Sequence, residues 1–196
     1  MTLVFASGNP GKLREAAEIL GSGIQLLSPA QMGITEEIPE TGNTLTANSL
    51  QKAEYLFQRT GQACFADDTG LEVDALGGAP GVETARYAGP ARNPSDNMDK
   101  LLRELALRGP DIPRTARFRT AVTLILADGT RHVFQGVMEG SIATERHGAG
   151  GFGYDPVFIP EGRNCTAAEL SEEEKNAISH RGKALRAMAQ FLHGLA

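Results

Sequence analysis

LVFASGNPGKLREAAEIL, at residues 3–20, is the stretch of sequence that decides the fold. Its apolar run at 3–6 is typical of a short buried strand, and the run breaks at the glycine- and proline-containing segment 7–11. A helix is predicted after the break, and a second strand at 24–27 completes a β-loop-α-β unit. The residues predicted to share the apolar face of that helix are Leu13, Ala16, Ala17 and Leu20.

The rest of the chain continues the alternation of helices and strands. Helices are predicted over about 45–59 and 95–107. The runs 118–127 and 131–139 read as two strands of a hairpin, because Asp128-Gly129-Thr130 between them is a turn sequence. Helices before and after a central set of strands predict an α/β fold with a central mixed sheet flanked by helices.

Two helices are predicted near the C-terminal end. Ser171 and Glu174 form a capping-box pattern that starts a short helix. On one continuous helix, Lys175, His180 and Arg181 would point in different directions, since steps of five and six residues rotate them by roughly 140° and 240°. We therefore predict a break, with Ser179 capping the last helix and the His-Arg pair in its first turn.

The amino-acid composition limits the classes of protein to which this chain can belong. The 196 residues suit a single domain, with 41% hydrophobic and 22% charged residues. A net charge of -5 argues against a protein that coats nucleic acid. Cys64 and Cys165 form no CxxC pattern, which favours a reducing compartment and excludes a zinc site. With no signal-peptide pattern and no apolar stretch of transmembrane length, a cytoplasmic protein is predicted.

The loop Ser7-Gly8-Asn9-Pro10-Gly11-Lys12 is the first candidate for chemistry. Its glycines allow backbone N–H groups to approach an anion at a helix N-terminus, and Lys12 adds a full positive charge. It is not a Walker A loop, because Ala6 and Leu13 stand where that motif needs Gly and Ser or Thr. An ordinary β-α turn with a solvated lysine explains the same residues.

The acidic pair Asp67-Asp68 is the second candidate. We expect it in a turn at 67–70, between short strands at 63–66 and 71–76. Adjacent carboxylates repel unless a cation or hydrogen-bond donors compensate, and oxygen ligands of this kind suit Mg²⁺. A plain Asp-Thr-Gly turn accounts for Asp68 but not for Asp67. Glu40 is a possible third acidic ligand, although taken alone it reads as a surface charge.

Two further segments are candidates for binding a nucleotide. The glycine-rich loop at 147–156 carries two aromatic residues and an acid, so a ring held there would stack on a base. The alternative is a flexible loop whose rings fold onto the core. Lys175 and the Ser-His-Arg-Gly sequence at 179–182 place cationic donors at a helix start, where capping with exposed charges is the simpler explanation.

Five ordered blocks resemble the inosine triphosphate pyrophosphatase family, which hydrolyses deaminated purine nucleoside triphosphates. The resemblance implies an elongated α/β fold, with two lobes and a nucleotide cleft between them, and a homodimer. It also implies hydrolysis of ITP, dITP and XTP to the monophosphate and pyrophosphate. The blocks are SGNPGK at 7–12, ETGNT at 40–44, ADDTGLEVDALGGAPGVETARYAG at 66–89, GGFGYDP at 150–156, and TAAELSEEEKNAISHRGKAL at 166–185.

The same resemblance implies roles for individual residues. Glu40 and Asp68 are implied to bind Mg²⁺, and Asp68, which is also the candidate proton acceptor, to carry catalysis with Lys12 and Asp67. Phe152 is implied to stack on the base. The residues implied to bind substrate are Ser7, Gly8, Asn9, Pro10, Gly11, Lys12, Lys52, Thr69, Phe152, Gly153, Tyr154, Asp155, Lys175, His180 and Arg181.

The sequence departs from the family pattern after ETGNT. Leu45-Thr46-Ala47 precede Asn48 where relatives carry a Phe and an acidic residue, so the case for an additional metal ligand on that helix is weaker. Two other functions stay open: a related pyrophosphatase for pyrimidine or modified nucleotides, and a nucleotide sensor without turnover. Neither nucleic acid nor a membrane is an expected partner.

Overall fold

A computed structural model describes residues 1–195, along which helices and strands alternate as the sequence predicts. The helices predicted at 45–59 and 95–107 are found within one residue of those bounds. Strands β1 to β6 are Thr2–Phe5, Gln25–Leu27, Cys64–Val73, Thr115–Ile125, Arg131–Ile142 and Phe158–Pro160, and helices α1 to α5 are Pro10–Leu20, Leu45–Thr60, Pro94–Leu107, Glu172–Ile178 and His180–Gly194.

The six strands form one sheet in the order β2-β1-β3-β4-β5-β6. Strand β1 runs parallel to β2 and β3, whereas β5 and β6 are antiparallel. The predicted turn joins β4 to β5, with the N–H of Leu126 donating to the carbonyl of Thr130 at 2.9 Å. Both strands extend three residues beyond the predicted outer ends. The mixed sheet of the predicted α/β fold is therefore confirmed.

The acidic pair lies inside a single ten-residue strand, and the predicted turn at 67–70 is wrong. Strand β3 runs without interruption from Cys64 to Val73. It occupies an interior position in the sheet, between β1 and β4. Pairing on both sides overrides the local turn preference of Asp-Thr-Gly, because strand formation depends on neighbouring strands more than on intrinsic propensity.

The chain divides into two compact units. The first comprises Met1–Asp68, Thr120–Gly136 and the segment from His180 onward, and the second comprises Thr69–Arg119 and Val137–Ser179. Among the helices of residues 1–195, none combines the length and apolar character needed to cross a membrane. A single domain over residues 1–196 and a nucleotide cleft between two lobes stay predictions.

Two apolar cores build the first unit. Phe65 of β3 belongs to the core that contains α1 and α5, whereas its neighbours Cys64 and Ala66 belong to the core beneath α2. Successive strand residues point to opposite faces, so odd and even positions of β3 serve different helices. Ala17 was predicted to face the core but is exposed, because it lies roughly 100° beyond the buried Ala16 around α1.

The second unit has a core of its own. Helix α3 contributes Leu101 and Leu105, which pack with Leu71 of β3, Phe118 of β4 and Phe158 of β6. The rings of Phe118 and Phe158 lie 4.6 Å apart at 58°. This core includes Tyr154, which draws part of the glycine-rich loop into the interior.

The predicted break near the C-terminal end is confirmed. Helix α4 begins after Ser171 with a capping box to Glu174, and it ends at Ile178. Ser179 has extended backbone angles, and α5 begins at His180. The break places Lys175 in the last turn of one helix and His180 with Arg181 in the first turn of the next.

Gly136 allows strand β5 to approach the start of α5. A Cβ atom at Gly136 would lie 1.9 Å from the carbonyl oxygen of His180 and 2.7 Å from the backbone nitrogen of Ala184. Both atoms belong to helix backbone, which cannot rotate away as a side chain would. A side chain at this position therefore requires the strand and the helix to separate.

Gly136→Ala should destabilise the protein by about 1–3 kcal/mol, the usual range for overpacking a fitted interior. The measurement is thermal unfolding of the purified variant. Gly23→Ala is the matched control, since a Cβ there meets nothing within 4 Å. Equal melting temperatures for the two variants would contradict the close packing of β5 on α5.

Candidate active site

The segment 7–12 joins β1 to α1, as predicted, and its own side chains organise it. The side-chain oxygen of Asn9 caps α1 by accepting the N–H groups of Gly11 at 2.9 Å and Lys12 at 3.2 Å. The hydroxyl of Ser7 accepts the N–H of Asn9 at 3.2 Å. An anion at this helix start would therefore compete with Asn9 for two of the N–H groups. The exposed residues of the segment are Gly8, Asn9, Pro10 and Gly11.

Lys12 forms an ion pair with Asp67. Its Nζ lies 2.8 Å from Oδ2 of the carboxylate, whose side chain is only 2% exposed. Burial raises the pKa of Asp67, but the positive charges of Lys12 and Lys52 outweigh it, and the net pKa is lowered. Asp67 is therefore ionised, and it fixes the ammonium group of Lys12 in one place.

Asp68 contacts a different set of side chains. It shares a hydrogen bond with Glu40, and its Oδ2 accepts from the side-chain amide of Asn48 at 3.1 Å. Glu40 also accepts from Nζ of Lys52 at 3.2 Å. The result is a cluster of two carboxylates, one amide and one ammonium group within the first unit.

The pKa values of the two carboxyl groups in this cluster are shifted in opposite directions. Burial, together with the hydrogen bond to Glu40, raises the pKa of Asp68 to about 7. Burial alone would raise the pKa of Glu40. The hydrogen bond from Asp68 and the positive charge of Lys52 have the opposite effect and outweigh burial, so the net pKa of Glu40 is lowered. The shared hydrogen bond therefore shifts the two pKa values in opposite directions, upward for Asp68 and downward for Glu40.

The donor set of this cluster fits a divalent cation. A cation that displaced the shared proton would find two carboxylate ligands, Glu40 and Asp68, and Mg²⁺ commonly uses one or two carboxylates together with substrate phosphates. Within residues 1–195, no three His, Cys, Asp or Glu side chains are grouped so as to hold a metal ion.

The glycine-rich loop of the second unit presents one ring and buries the other. The side chain of Phe152 is 72% exposed. Tyr154 is buried, and its hydroxyl donates to the carbonyl of Thr84 at 2.7 Å. Of the two explanations for the loop, folding onto the core is right for Tyr154 and wrong for Phe152.

Asp155 holds this loop together from within. The carboxylate is buried, accepts the N–H of Phe152 at 2.9 Å, and accepts a hydrogen bond from Nζ of Lys175. The same ammonium group lies 4.5 Å from the centre of the Phe152 ring, a cation-π contact. A Cβ at Gly151 would lie 2.2 Å from Oδ2 of Asp155, so glycine is needed there. Gly153 adopts a positive φ of 60°.

The remaining predicted residues have distinct surroundings. Arg181 is half-buried and binds Glu15 of α1, with its Nε 2.8 Å from Oε2 of the carboxylate. His180 is half-buried at the first position of α5, and its carbonyl oxygen lies against Gly136. Thr69 follows Asp68 on β3 and is half-buried.

Sequence reasoning did not assign site roles to Asn48 and Glu15. Asn48 is buried, and besides contacting Asp68 it accepts the N–H of Gly42 at 2.6 Å, which ties the ETGNT segment to the strand. The sequence did contain an indication of Asn48, since Asn48 and Lys52 are four residues apart and share a face of α2. Glu15 gave no signal, because its partner follows 166 residues later.

Comparison with known proteins relates the whole chain to a family. The sequence model of the Ham1 family matches residues 3–191. A protein of Porphyromonas gingivalis named dITP/XTP pyrophosphatase is 51% identical over 190 residues, covering 97% of this chain and 96% of its own. One of Flavobacterium psychrophilum with the same name is 50% identical over 191 residues, covering 97% and 98%. The solved HAM1 protein of Coxiella burnetii superposes with a TM-score of 0.94 at 38% identity, covering 99% of both chains.

Lys12→Met should destabilise the protein by about 1–3 kcal/mol, because it leaves the buried Asp67 carboxylate without its partner. Urea unfolding at neutral pH measures the loss. Arg14→Met is the control, since Arg14 is an exposed cation on the same helix. Adding Asp67→Asn to Lys12→Met should recover part of the loss, and no recovery would contradict the assigned ion pair.

Proposed function

The chain belongs to the Ham1 family, and we propose that it hydrolyses the deaminated purine nucleotides ITP, dITP and XTP to the nucleoside monophosphate and pyrophosphate. The family model covers nearly the whole chain, and the relatives named dITP/XTP pyrophosphatase match it over nearly their full length. The resemblance drawn from the five sequence blocks is thereby confirmed. The protein is a nucleoside triphosphate pyrophosphatase that acts on the bond between the α- and β-phosphates.

The observation that carries this proposal is the charged cluster of the first unit. Two lysines, from α1 and α2, lie against buried or half-buried carboxylates of β3 and the ETGNT segment. Both ammonium groups are held by hydrogen bonds before any ligand arrives. Fixed cations of this kind stabilise charge on phosphoryl oxygens, where most catalysis of phosphoryl transfer resides.

We propose that Glu40 and Asp68 hold Mg²⁺ when the nucleotide is bound. The ion would supply positive charge to the phosphate oxygens. Lys12 and Lys52 bind the phosphates, together with the segment Ser7-Gly8-Asn9-Pro10-Gly11. Asp67 holds Lys12 in place. Asp68 orients the water that attacks the α-phosphorus, because an ionised carboxylate accepts a hydrogen bond from water.

The loop from Phe152 to Asp155 is proposed to receive the base. The exposed ring of Phe152 stacks on the purine. The ammonium group of Lys175, which is bound to Asp155, contacts this ring. His180, Arg181 and Thr69 complete the contacts. Hydrogen-bond donors at the start of α5 suit the oxygen at C6 of hypoxanthine and xanthine. Adenine has an amino group at C6, so the protein donors and this amino group would both be left without a hydrogen-bond acceptor.

We further propose a homodimer that acts in the cytoplasm on free nucleotides. The homodimer rests on the family resemblance alone. A net charge of -5 supports a small-molecule substrate over nucleic acid, and a membrane is not expected as a partner.

With ITP and Mg²⁺, the purified protein should form IMP and pyrophosphate in equal amounts, without IDP. Ion-exchange chromatography of the products is the measurement, and removal of the cation with a chelator should stop the reaction. Release of IDP and orthophosphate would contradict attack at the α-phosphorus. A chain that bound ITP without releasing any product would be the nucleotide sensor instead.

Asp68→Asn should lower kcat for ITP by a factor on the order of 10² or more, since it removes a proposed metal ligand and the group that orients water. The amide has nearly the shape of the carboxyl group, so the melting temperature should change little. Asp111→Asn, at an exposed position, is the control for the same chemical change. Near-normal turnover of Asp68→Asn at saturating Mg²⁺ would refute the role of Asp68.

A further inference from the structure

The glycine-rich loop at 147–156 is closed at its two ends. The N–H of His147 donates to the carbonyl of Pro156 at 2.9 Å, so the first and last residues are bonded to each other. Four of the ten residues are glycines, and those with positive φ are Gly148, Gly151 and Gly153. Glycine backbone has many accessible conformations. Outside contacts are therefore needed to keep the exposed ring of Phe152 in one place.

The segment 166–169 supplies such contacts to the first half of the loop. The hydroxyl of Thr166 donates to the carbonyl of His147 at 2.7 Å, and the carbonyl of Ala168 accepts the N–H of Gly150 at 3.2 Å. A Cβ at Gly150 would lie 2.7 Å from that carbonyl oxygen, so the two backbones pack closely.

Thr166 is itself held in place. It is only 1% exposed, its N–H donates to Oε2 of Glu169 at 2.7 Å, and its carbonyl accepts the N–H of Glu169 at 3.0 Å. The TAAEL sequence at 166–170 belongs to the fifth block of the family resemblance. Neither the catalytic groups nor the substrate contacts account for that sequence, so its contacts with the loop are the basis for assigning it a role.

We propose that Thr166 is a positioning residue for nucleotide binding, because its hydroxyl holds the glycine-rich loop and so keeps Phe152 where a purine stacks. The inference rests on the proposed function, and it assigns a role to a motif that catalysis leaves unused. Thr166 is buried and acts through the loop, without touching the nucleotide.

Loss of this hydrogen bond should change KM and leave kcat nearly unchanged. A loop that is not held in advance must be ordered when the nucleotide binds, and the lost conformational entropy weakens binding. The base is remote from the α-phosphorus, so its stacking stabilises the bound substrate and the transition state equally. Loss of such uniform binding raises KM at constant kcat. A purely structural role would instead reduce the amount of active protein, which lowers the apparent kcat at constant KM.

The experiment compares Thr166→Val, Thr166→Ser and Thr115→Val by steady-state hydrolysis of ITP at saturating Mg²⁺. Thr166→Val removes the hydroxyl at nearly constant shape and should raise KM by about 5- to 30-fold, the cost of ordering one residue of backbone. Thr166→Ser keeps the donor and should keep KM near that of the unmodified protein. Thr115 is the control, since its hydroxyl donates to Asp74 at 2.6 Å in the same unit but outside the loop.

A double-mutant cycle tests whether Thr166 works through the aromatic ring. In the Phe152→Ala background, Thr166→Val should change KM by less than about twofold, because the group that it positions is absent. An undiminished rise of KM in that background would overturn the proposal. A fall of kcat at constant KM, the same KM for Thr166→Val and Thr115→Val, or a KM for Thr166→Ser as high as that for Thr166→Val would also overturn it.

Failure of the proposed function is recognised separately. If the unmodified protein bound ITP but released no pyrophosphate, the function would fail, and calorimetric titration of ITP into the same variants would test Thr166 through Kd. Absence of ITP binding would overturn both. Should Thr166→Val unfold, Glu169→Ala decides, because Glu169 is exposed and holds Thr166 through a capping box. An unchanged KM in that variant would overturn the proposal.

Discussion

The constraint on which the rest of the first unit depends is the placement of two adjacent carboxylates, one buried and one half-buried, in an interior strand. Asp67 and Asp68 lie in β3 between two other strands, away from the hairpins and loops that usually carry such residues. The alternation of strand side chains turns the carboxylates to opposite faces of the sheet. Each face then needs its own compensation, and two different helices supply it.

Helices α1 and α2 each direct a lysine toward this pair of residues and their neighbours. Asn9 caps α1 so that Lys12 stands in the first turn facing Asp67, while α2 directs Asn48 and Lys52, four residues apart, toward Asp68 and Glu40. The second unit also contains a lysine that is bound to a buried carboxylate. The buried carboxylate of Asp155 fixes Lys175, and Lys175 in turn contacts the ring that faces solvent. Charge burial therefore prepares the side chains proposed to bind a nucleotide.

The sequence predicted the parts of this structure that depend on local patterns. The helices, the hairpin around Asp128 and the break before His180 follow from periodicity, capping and turn chemistry, and the structure confirms them. The interruption of β3 was wrong because long-range strand pairing outweighed a local turn signal. The contact of Glu15 with Arg181 could not be predicted, since it depends on how two helices distant in sequence pack. Local sequence does not distinguish Phe152 from Tyr154, although only one ring is buried, and Phe152 was singled out by the family resemblance alone.

The packing of α5 on β1 and α1 constrains how the chain folds as it is synthesised. Leu3 and Phe5 share one core with Leu185, Met188 and Leu192 of α5. That core cannot be completed before residue 192 has left the ribosome, so the strand and helix formed from the first 20 residues lack their contacts with α5 until then. Non-local contacts of this span slow folding and leave intermediates prone to aggregation. The first unit is therefore completed only late in synthesis.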